Sequence, residues 1–555
     1  MHPFPVPRRT TVRRTASLAV LFAAASLQGC GGGSDGASAP APSPAPVLSA
    51  ADACAALKGV AINASDISLP TTGANVSDAT LVAPSGSGTT AVGEYCKLTG
   101  SIAPVDKTAP PIQFSLVLPT TWNGKAMHLM GGGYDGSVVQ GSGNVPGAAG
   151  LATPLARGYA AFGSDSGHTG SAAEASFALN DEALENYLGD QLRKTRDVAM
   201  KLIQQRYGSA PKRTYSAGGS GGGREALYVA DRWPELYDGV ISYYPAWSLT
   251  AMLTNYVRGS QALGAAGAWS NANKQKLLTN AVIAACDTLD GAADGVIGNV
   301  AACHFDPQTL RCPGGADTGD SCLSDAQITG FTAAYATGTS FPYALANGTN
   351  SYPAYNIFNG GVIPAMGTAA PATPSATNMP FATYIGESFA KYWVYQDASY
   401  NPFLFDLNAN GFVQQREKYI SSRQDVNPNL TPFASKGGKV IVVHGLADPL
   451  IPSASSEEFY HRAVTAMGAN AVAASIRFYE VPGYGHGSGA YNVRYDSLAA
   501  LENWVENGVA PAGQVAADAN AASNGRTRPL CDYPAWPKYN GSGDINAAAS
   551  YTCTN

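Results

Sequence analysis

The 555-residue sequence predicts an α/β fold, a mainly parallel sheet flanked by helices and interrupted by one large insertion. Three observations point there. A Gly-x-Ser-x-Gly centred on Ser220 joins a strand-like run to a helix-like one, and Asp448 and His486 each follow a later apolar strand-like run. Between the runs at 238–244 and 439–443 lie about 190 residues without alternating strand and helix periodicity, which is too long for a loop.

The serine segment reads Tyr215-Ser216-Ala217-Gly218-Gly219-Ser220-Gly221-Gly222-Gly223-Arg224, with a strand over 213–217 and a helix over 224–231. A serine on a sharp turn between the two is a nucleophile elbow, where small neighbours let backbones approach closely. The pattern alone is weak, since Gly32-Gly33-Ser34-Asp35-Gly36 matches it inside linker-like sequence. Setting separates the two. At Ser220 the backbone N–H of Gly221, at the helix N-terminus, can donate to a carbonyl oxygen that gains charge during reaction.

Charged residues make up 13% of the chain against a usual ~25%, and the net charge is −6, so there is no basic footprint for nucleic acid. The N-terminus reads as a signal peptide over residues 1–29. Arg8, Arg9, Arg13 and Arg14 precede an apolar run from Leu18 to Leu27, too short to span a bilayer. Leu27-Gln28-Gly29-Cys30 then resembles a bacterial lipobox, which implies lipidation of Cys30. Gly31 after it resembles the pattern for outer-membrane sorting, so the expected locations are a bacterial outer-membrane lipoprotein or a periplasmic or secreted protein. Residues 30–48, rich in Gly, Ser, Ala and Pro, read as a flexible linker. Of nine cysteines, Cys30 apart, eight remain: Cys54, Cys96, Cys286, Cys303, Cys312, Cys322, Cys531 and Cys553. An even count in an exported chain suggests disulfides. Eight allow 105 pairings, and counting alone does not choose among them.

Along the chain, residues 112–118 and 126–130 read as strands, the second ending in Gly131-Gly132-Gly133-Tyr134-Asp135-Gly136. A glycine-rich turn after an early strand is where a second oxyanion donor belongs, and Gly132 and Gly133 are both candidates. Residues 157–163 make a strand followed by Ser164-Asp165-Ser166-Gly167-His168. Asp165 and His168 precede Ser220, the wrong order for its partners, and read as loop-fixing residues. Residues 182–207 carry one long helical pattern.

The insertion holds many aromatic residues, including Tyr392-Trp393, Tyr395, Tyr400 and Phe403, which suit either an aromatic substrate or a small core. It also holds Cys286-Asp287-Thr288-Leu289-Asp290-Gly291-Ala292-Ala293-Asp294-Gly295-Val296. Asp287, Asp290 and Asp294 in a glycine-bearing loop supply hard oxygen ligands of the kind calcium takes, although the spacing is not that of an EF-hand. A solvated acidic turn is the alternative.

Beyond the insertion, Val443-His444-Gly445-Leu446-Ala447-Asp448 puts an aspartate just past a buried strand. Pro482-Gly483-Tyr484-Gly485-His486-Gly487 puts a histidine, flanked by glycines, just past another. Such an aspartate orients a histidine and stabilises its imidazolium. The order Ser220, Asp448, His486 is that of α/β-hydrolases. The expected architecture is therefore an α/β-hydrolase core over 49–246 and 434–555, with a lid domain over 247–433 that carries the acidic loop. The expected chemistry is serine-type ester hydrolysis, with no organic cofactor.

With these segments in hand the chain resembles the tannase and feruloyl esterase family from about Cys54 to Cys553. The likeness rests on Leu118-Pro119 with Trp122-Asn123-Gly124, the 131–136 turn, Gly158-Tyr159 with 165–168, the elbow, Pro234 with Asp238-Gly239, the acidic loop with Cys303 and Phe305-Asp306-Pro307, the Asp448 and His486 segments, and Arg528-Pro529-Leu530-Cys531 with 541–546. The resemblance implies disulfides Cys54–Cys96, Cys286–Cys303, Cys312–Cys322 and Cys531–Cys553. It implies structural calcium held by Asp287, Asp290 and Asp294 with the carbonyls of Ala292 and Val296. It implies a small aromatic ester as substrate: a feruloyl or other hydroxycinnamoyl ester first, then a galloyl ester or a terephthalate monoester. The last would need a cation near the acyl pocket, for which Arg416 and Arg423 are candidates. One departure stands out: the family pattern carries bridged cysteines next to the serine and the histidine, where this chain has Gly219 and Gly487. The rival reading is a non-catalytic, calcium-stabilised surface binding lipoprotein. Nothing in the sequence sets the oligomeric state.

Overall fold

A computed structural model of the chain describes residues 48–363, 375, 378–409 and 411–555. The expected signal peptide, the expected linker up to residue 47 and Cys30 lie outside the described residues. Residues 48–555 form one compact unit, and no described helix is long and apolar enough to cross a membrane.

The centre is a ten-stranded sheet made of β1 (Ala61–Ile62), β2 (Gly73–Val82), β3 (Tyr95–Ala103), β4 (Ile112–Pro119), β5 (Lys125–Leu129), β6 (Ala160–Ser164), β7 (Arg213–Gly219), β8 (Gly239–Tyr243), β9 (Lys439–Gly445) and β10 (Ile476–Val481). Their spatial order is β1-β2-β3-β4-β6-β5-β7-β8-β9-β10. The first four pair antiparallel, and β4 meets β6 antiparallel. From β6 onward every pairing is parallel. The core strands carry the sequence that a sheet covered on both faces demands: Val440, Ile441, Val442 and Val443 of β9 are all buried. Because β5, β7, β8, β9 and β10 run in parallel, their carboxyl ends leave the sheet along one edge. The glycine turn, Ser220, Tyr244, Asp448 and His486 all follow these ends, at the crevice where open parallel sheets bind ligands.

β8 and β9 are direct neighbours, with Gly239 opposite Lys439, although residues 249–433 lie between them in the chain. That long segment gives the large sheet no strand among its described residues. Its helix α3 (Leu249–Leu263) packs through Tyr256 and Val257 into a core with Phe389, Trp393 and Ile420, which continues into Tyr134, Leu184 and Tyr187 of the sheet-bearing part.

Two helices differ from their sequence reading. The elbow helix α2 begins at Gly221 and runs to Arg232, three residues earlier than the run expected from 224. Glycine's poor helix propensity hid its first turn, which tertiary packing imposes. The 182–207 pattern is not one helix. It opens with Asp181–Glu185, widens over Asn186–Asp190, and only then continues as helix α1 (Gln191–Tyr207). The widening brings Gly189 against Tyr228, whose hydroxyl oxygen would sit 2.6 Å from any Cβ there.

Four disulfides join Cys54 to Cys96, Cys286 to Cys303, Cys312 to Cys322, and Cys531 to Cys553. Such a set fits an exported protein.

Candidate active site

Ser220 stands at φ 63° and ψ −124° between β7 and α2, a conformation that a non-glycine residue adopts only when its surroundings enforce it. The enforcement is visible. Ser220 N–H donates to the Tyr243 carbonyl at 3.0 Å, and its own carbonyl accepts from Arg224 N–H at 3.1 Å and Ala246 N–H at 3.2 Å. Close approach explains the glycines: a Cβ on Gly218 would lie 2.3 Å from the Gly222 carbonyl oxygen, and one on Gly222 1.9 Å from that of Gly131.

The same approach sets the glycine turn after β5 against the first turn of α2. A Cβ on Gly221 would lie 3.1 Å from Gly133 O and 3.4 Å from Gly132 Cα. Spacing left Gly132 and Gly133 equal. In the structure a Cβ on Gly132 would sit 3.9 Å from Ser220 Cβ, whereas one on Gly133 would run into the Ala172 carbonyl at 2.5 Å. Gly132 is the one that faces the serine.

A buried charge cluster props this turn. Arg224 Nη2 bonds Glu225 Oε1 at 3.2 Å, both side chains being shut off from solvent. The Asp135 carboxylate, beneath Gly131, accepts from the Ser166 hydroxyl. Burial pushes Asp135 up to about 6, against the lowering effect of the Ser166 bond and Arg224. It pushes Glu225 up to about 8, the charge on Asp135 adding to it. Tyr187 Oη donates to the Gly133 carbonyl at 2.6 Å, fixing the turn from its other side.

Asp448 is buried, and donors converge on both of its oxygens. Oδ1 accepts from Leu450 N–H at 2.8 Å and Ile451 N–H at 2.9 Å. His486 Nδ1 lies 2.8 Å from Oδ2 and 3.1 Å from Oδ1. Burial alone would raise this carboxyl, but the neighbouring His486 and the hydrogen bonds from His444 and His486 outweigh it and hold the pKa well below the usual carboxylate range. His444 is not surplus. Its Nε2 donates to the Ile451 carbonyl at 2.9 Å while Nδ1 meets Ser456 Oγ at 2.7 Å, so it braces the loop that carries the acid.

One residue went unmarked by spacing. Tyr244 follows β8 with a positive φ of 34°. Its ring lies 4.5 Å from the His486 imidazole, centroid to centroid. A Cβ on Gly219 would come within 2.8 Å of this ring, and one on Gly487 within 3.1 Å of its hydroxyl oxygen. The elbow and the histidine loop therefore converge on one tyrosine. The simultaneous glycines at 219 and 487 were the signal that something else fills this space.

Asp165 bonds Gln113 N–H at 3.0 Å and Gly167 N–H at 2.9 Å, and His168 stacks on Phe177 at 3.8 Å; both hold their loop. Trp393 is fully buried against Tyr134 and Tyr187 and belongs to the core, whereas Phe403 is about half exposed. Arg423 pairs with Glu185 at 2.6 Å and Asp190 at 2.8 Å, and Arg416 donates to the Trp393 carbonyl at 2.7 Å. Arg423 is thus taken up by carboxylates of this chain, whereas Arg416 Nη2 is buried without a hydrogen-bond partner.

In the acidic loop, Asp290 accepts from Ala292 and Gly298 N–H at 2.9 Å each, and Asp287 from Gly295 N–H at 2.9 Å. Asp294 accepts from Val296 N–H at 3.0 Å and pairs with Arg528. Burial, then the charge on Asp294, raises Asp287; burial raises Asp290 to about 6, with smaller contributions from Asp294 and Asp287. The donor chemistry suits a hard cation. As placed, however, no three described His, Cys, Asp or Glu residues gather as a metal-binding group.

The fold and the strained serine at its sheet edge define an α/β-hydrolase. A sequence profile for tannase and feruloyl esterase matches residues 96–554. The chain is 39% identical over 528 residues to an uncharacterised esterase of Agrobacterium fabrum, covering 91% of this chain and 94% of that one. It is 29% identical over 539 residues to a mono(2-hydroxyethyl) terephthalate hydrolase of Piscinibacter sakaiensis, covering 85% and 86%. Its fold matches the crystal structure of feruloyl esterase B from Aspergillus oryzae with a TM-score of 0.72 at 24% identity, over 91% of this chain and all of that one. The chain belongs to the tannase and feruloyl esterase family, and is a carboxylic ester hydrolase.

Proposed function

We propose that the protein hydrolyses esters of aromatic acids, hydroxycinnamoyl esters first, with Ser220 as nucleophile, His486 as general base and Asp448 as its orienting partner. The observation that carries this is the 2.8 Å bond from Asp448 Oδ2 to His486 Nδ1, at the same sheet edge as a serine held in a strained elbow. Ser220 Oγ bonds to the ester carbonyl carbon as its proton passes to His486 Nε2. The N–H groups of Gly221 and Gly132 receive the negative oxygen. The proton then moves from His486 to the departing alcohol oxygen as that bond breaks, and water repeats the sequence to free the acid and restore Ser220.

Residues 247–433 serve as the lid, because they leave the sheet after β8, at the edge where the serine stands, before the chain crosses back to the amino end of the parallel β9. Among substrates, the engagement of Arg423 by Glu185 and Asp190 weighs against a terephthalate monoester, whose second carboxylate needs a cation. We expect purified protein to show its highest kcat/KM on methyl ferulate, with methyl gallate and mono(2-hydroxyethyl) terephthalate lower. A preference for the terephthalate ester would reverse this ranking.

Calcium is a structural component in this reading, held by Asp287, Asp290 and Asp294 with the carbonyls of Ala292 and Val296. The mutual repulsion of the carboxylates supports it. Binding only to the folded state would add stability by mass action, so chelation should lower Tm by roughly 5 °C. Asp290→Asn should abolish that difference. Identical melting with and without chelator would remove calcium from the account. The leader's composition supports export, with Cys30 acylated and the protein tethered to the outer membrane; mass spectrometry of the mature N-terminus tests this.

A further inference from the structure

Tyr244 makes contacts that packing alone does not require of the residue after a strand. Its backbone is pinned, N–H to the Val443 carbonyl at 2.7 Å, and its φ lies in a region that side chains avoid. That conformation directs the ring across the sheet edge, between two loops. On one side stands Gly219, immediately before Ser220, where a Cβ would meet Cε2 at 2.8 Å, Oη at 2.9 Å and Cζ at 3.0 Å. On the other stands Gly487, immediately after His486, where a Cβ would meet the same Oη at 3.1 Å. The ring also lies 4.5 Å from the imidazole, tilted by 45°, and 6.0 Å from the ring of Tyr484 in the same loop.

The histidine loop needs such a restraint. His486 sits between Gly485 and Gly487, and Gly487 has φ +82°. The bond to Asp448 fixes one ring nitrogen but leaves the imidazole free to pivot about it. A ring packed against the imidazole stops that pivot. The Tyr244 hydroxyl hydrogen-bonds Tyr484, and burial pushes it up to about 12, so it stays protonated and uncharged at neutral pH.

We propose that Tyr244 is a positioning residue, its ring acting as a spacer that sets the separation of the Ser220 elbow from the His486 loop and the plane of the imidazole. This rests on the Ser220–His486–Asp448 reading and adds to it the part that holds two of the three in place. Misplacing reacting groups by about 1 Å costs on the order of 10²-fold in rate, and that sets the scale of the test.

The test is a cycle of Tyr244→Ala and Gly219→Ala, with Tyr244→Phe and Ser220→Ala as companions, measured as kcat and KM on p-nitrophenyl acetate, whose acyl group is too small to probe a substrate pocket. Tyr244→Phe keeps the ring and should stay within about threefold of the parent, whereas Tyr244→Ala should lose about 10²-fold in kcat with KM little changed. Gly219→Ala, which drives a methyl into the ring, should also lower kcat. The double variant should be no worse than Tyr244→Ala alone, because the methyl then has nothing to displace. Tyr244→Ala with parental kcat, or losses that multiply in the double variant, would overturn the proposal. Should Tyr244→Ala not fold, Gly219→Ala decides by itself: a parental kcat there overturns it. An active Ser220→Ala would instead overturn the nucleophile assignment, which keeps the two failures distinct.

Discussion

Ser220→Ala is expected to lower kcat on methyl ferulate by about 10⁶-fold, the scale seen when the serine of such a triad is removed. Melting should be nearly unchanged. The bonds that enforce φ 63° at this position are made by its backbone, to Tyr243, Arg224 and Ala246, and alanine retains all three. The variant is therefore a folded elbow without a nucleophile, and chromatography of released ferulate against a no-enzyme blank measures it. A residual rate above 1% of the parent would mean that another group attacks the ester.

Asp448→Asn is the second large effect, about 10⁴-fold in kcat. The reason lies in the backbone donors, which meet only one of the two oxygens, while the other is the nearer to His486 Nδ1. Oδ1 faces two amide donors, Leu450 and Ile451 N–H, so an asparagine must keep its carbonyl oxygen there. Its NH₂ then points at His486 Nδ1, which accepts in return and places the ring proton on Nε2, where the base has to be free. The fold should persist. Kinetics on the same ester measure the loss, and a fall of less than tenfold would show that Asp448 does not set the tautomer.

Much of this was legible in the sequence because it is written locally. Glycines at 218, 221 and 222 mark the places where backbones touch, and their spacing around Ser220, set between a strand-like and a helix-like run, specifies an elbow. Short apolar runs before Asp448 and His486 are enough to place both at strand ends. What stayed hidden depends on contacts between distant segments. Helix α2 starts in a glycine run that no propensity would make helical, because Gly131 packs against it. Gly132 and Gly133 differ only in what faces them across the turn. Arg423 looked available until Glu185 and Asp190 came into view as its partners. Tyr244 carried no periodic signal, since its role arises from two glycines more than two hundred residues apart closing on one ring.

Reaction with a fluorophosphonate, followed by peptide mapping, addresses the central claim most directly, because the reagent modifies a serine only where a neighbouring base activates it. The account predicts one label per chain on Ser220, and none when His486 is changed to alanine in a protein that still melts cooperatively. A label on a different serine, or an unlabelled parent protein, would contradict it.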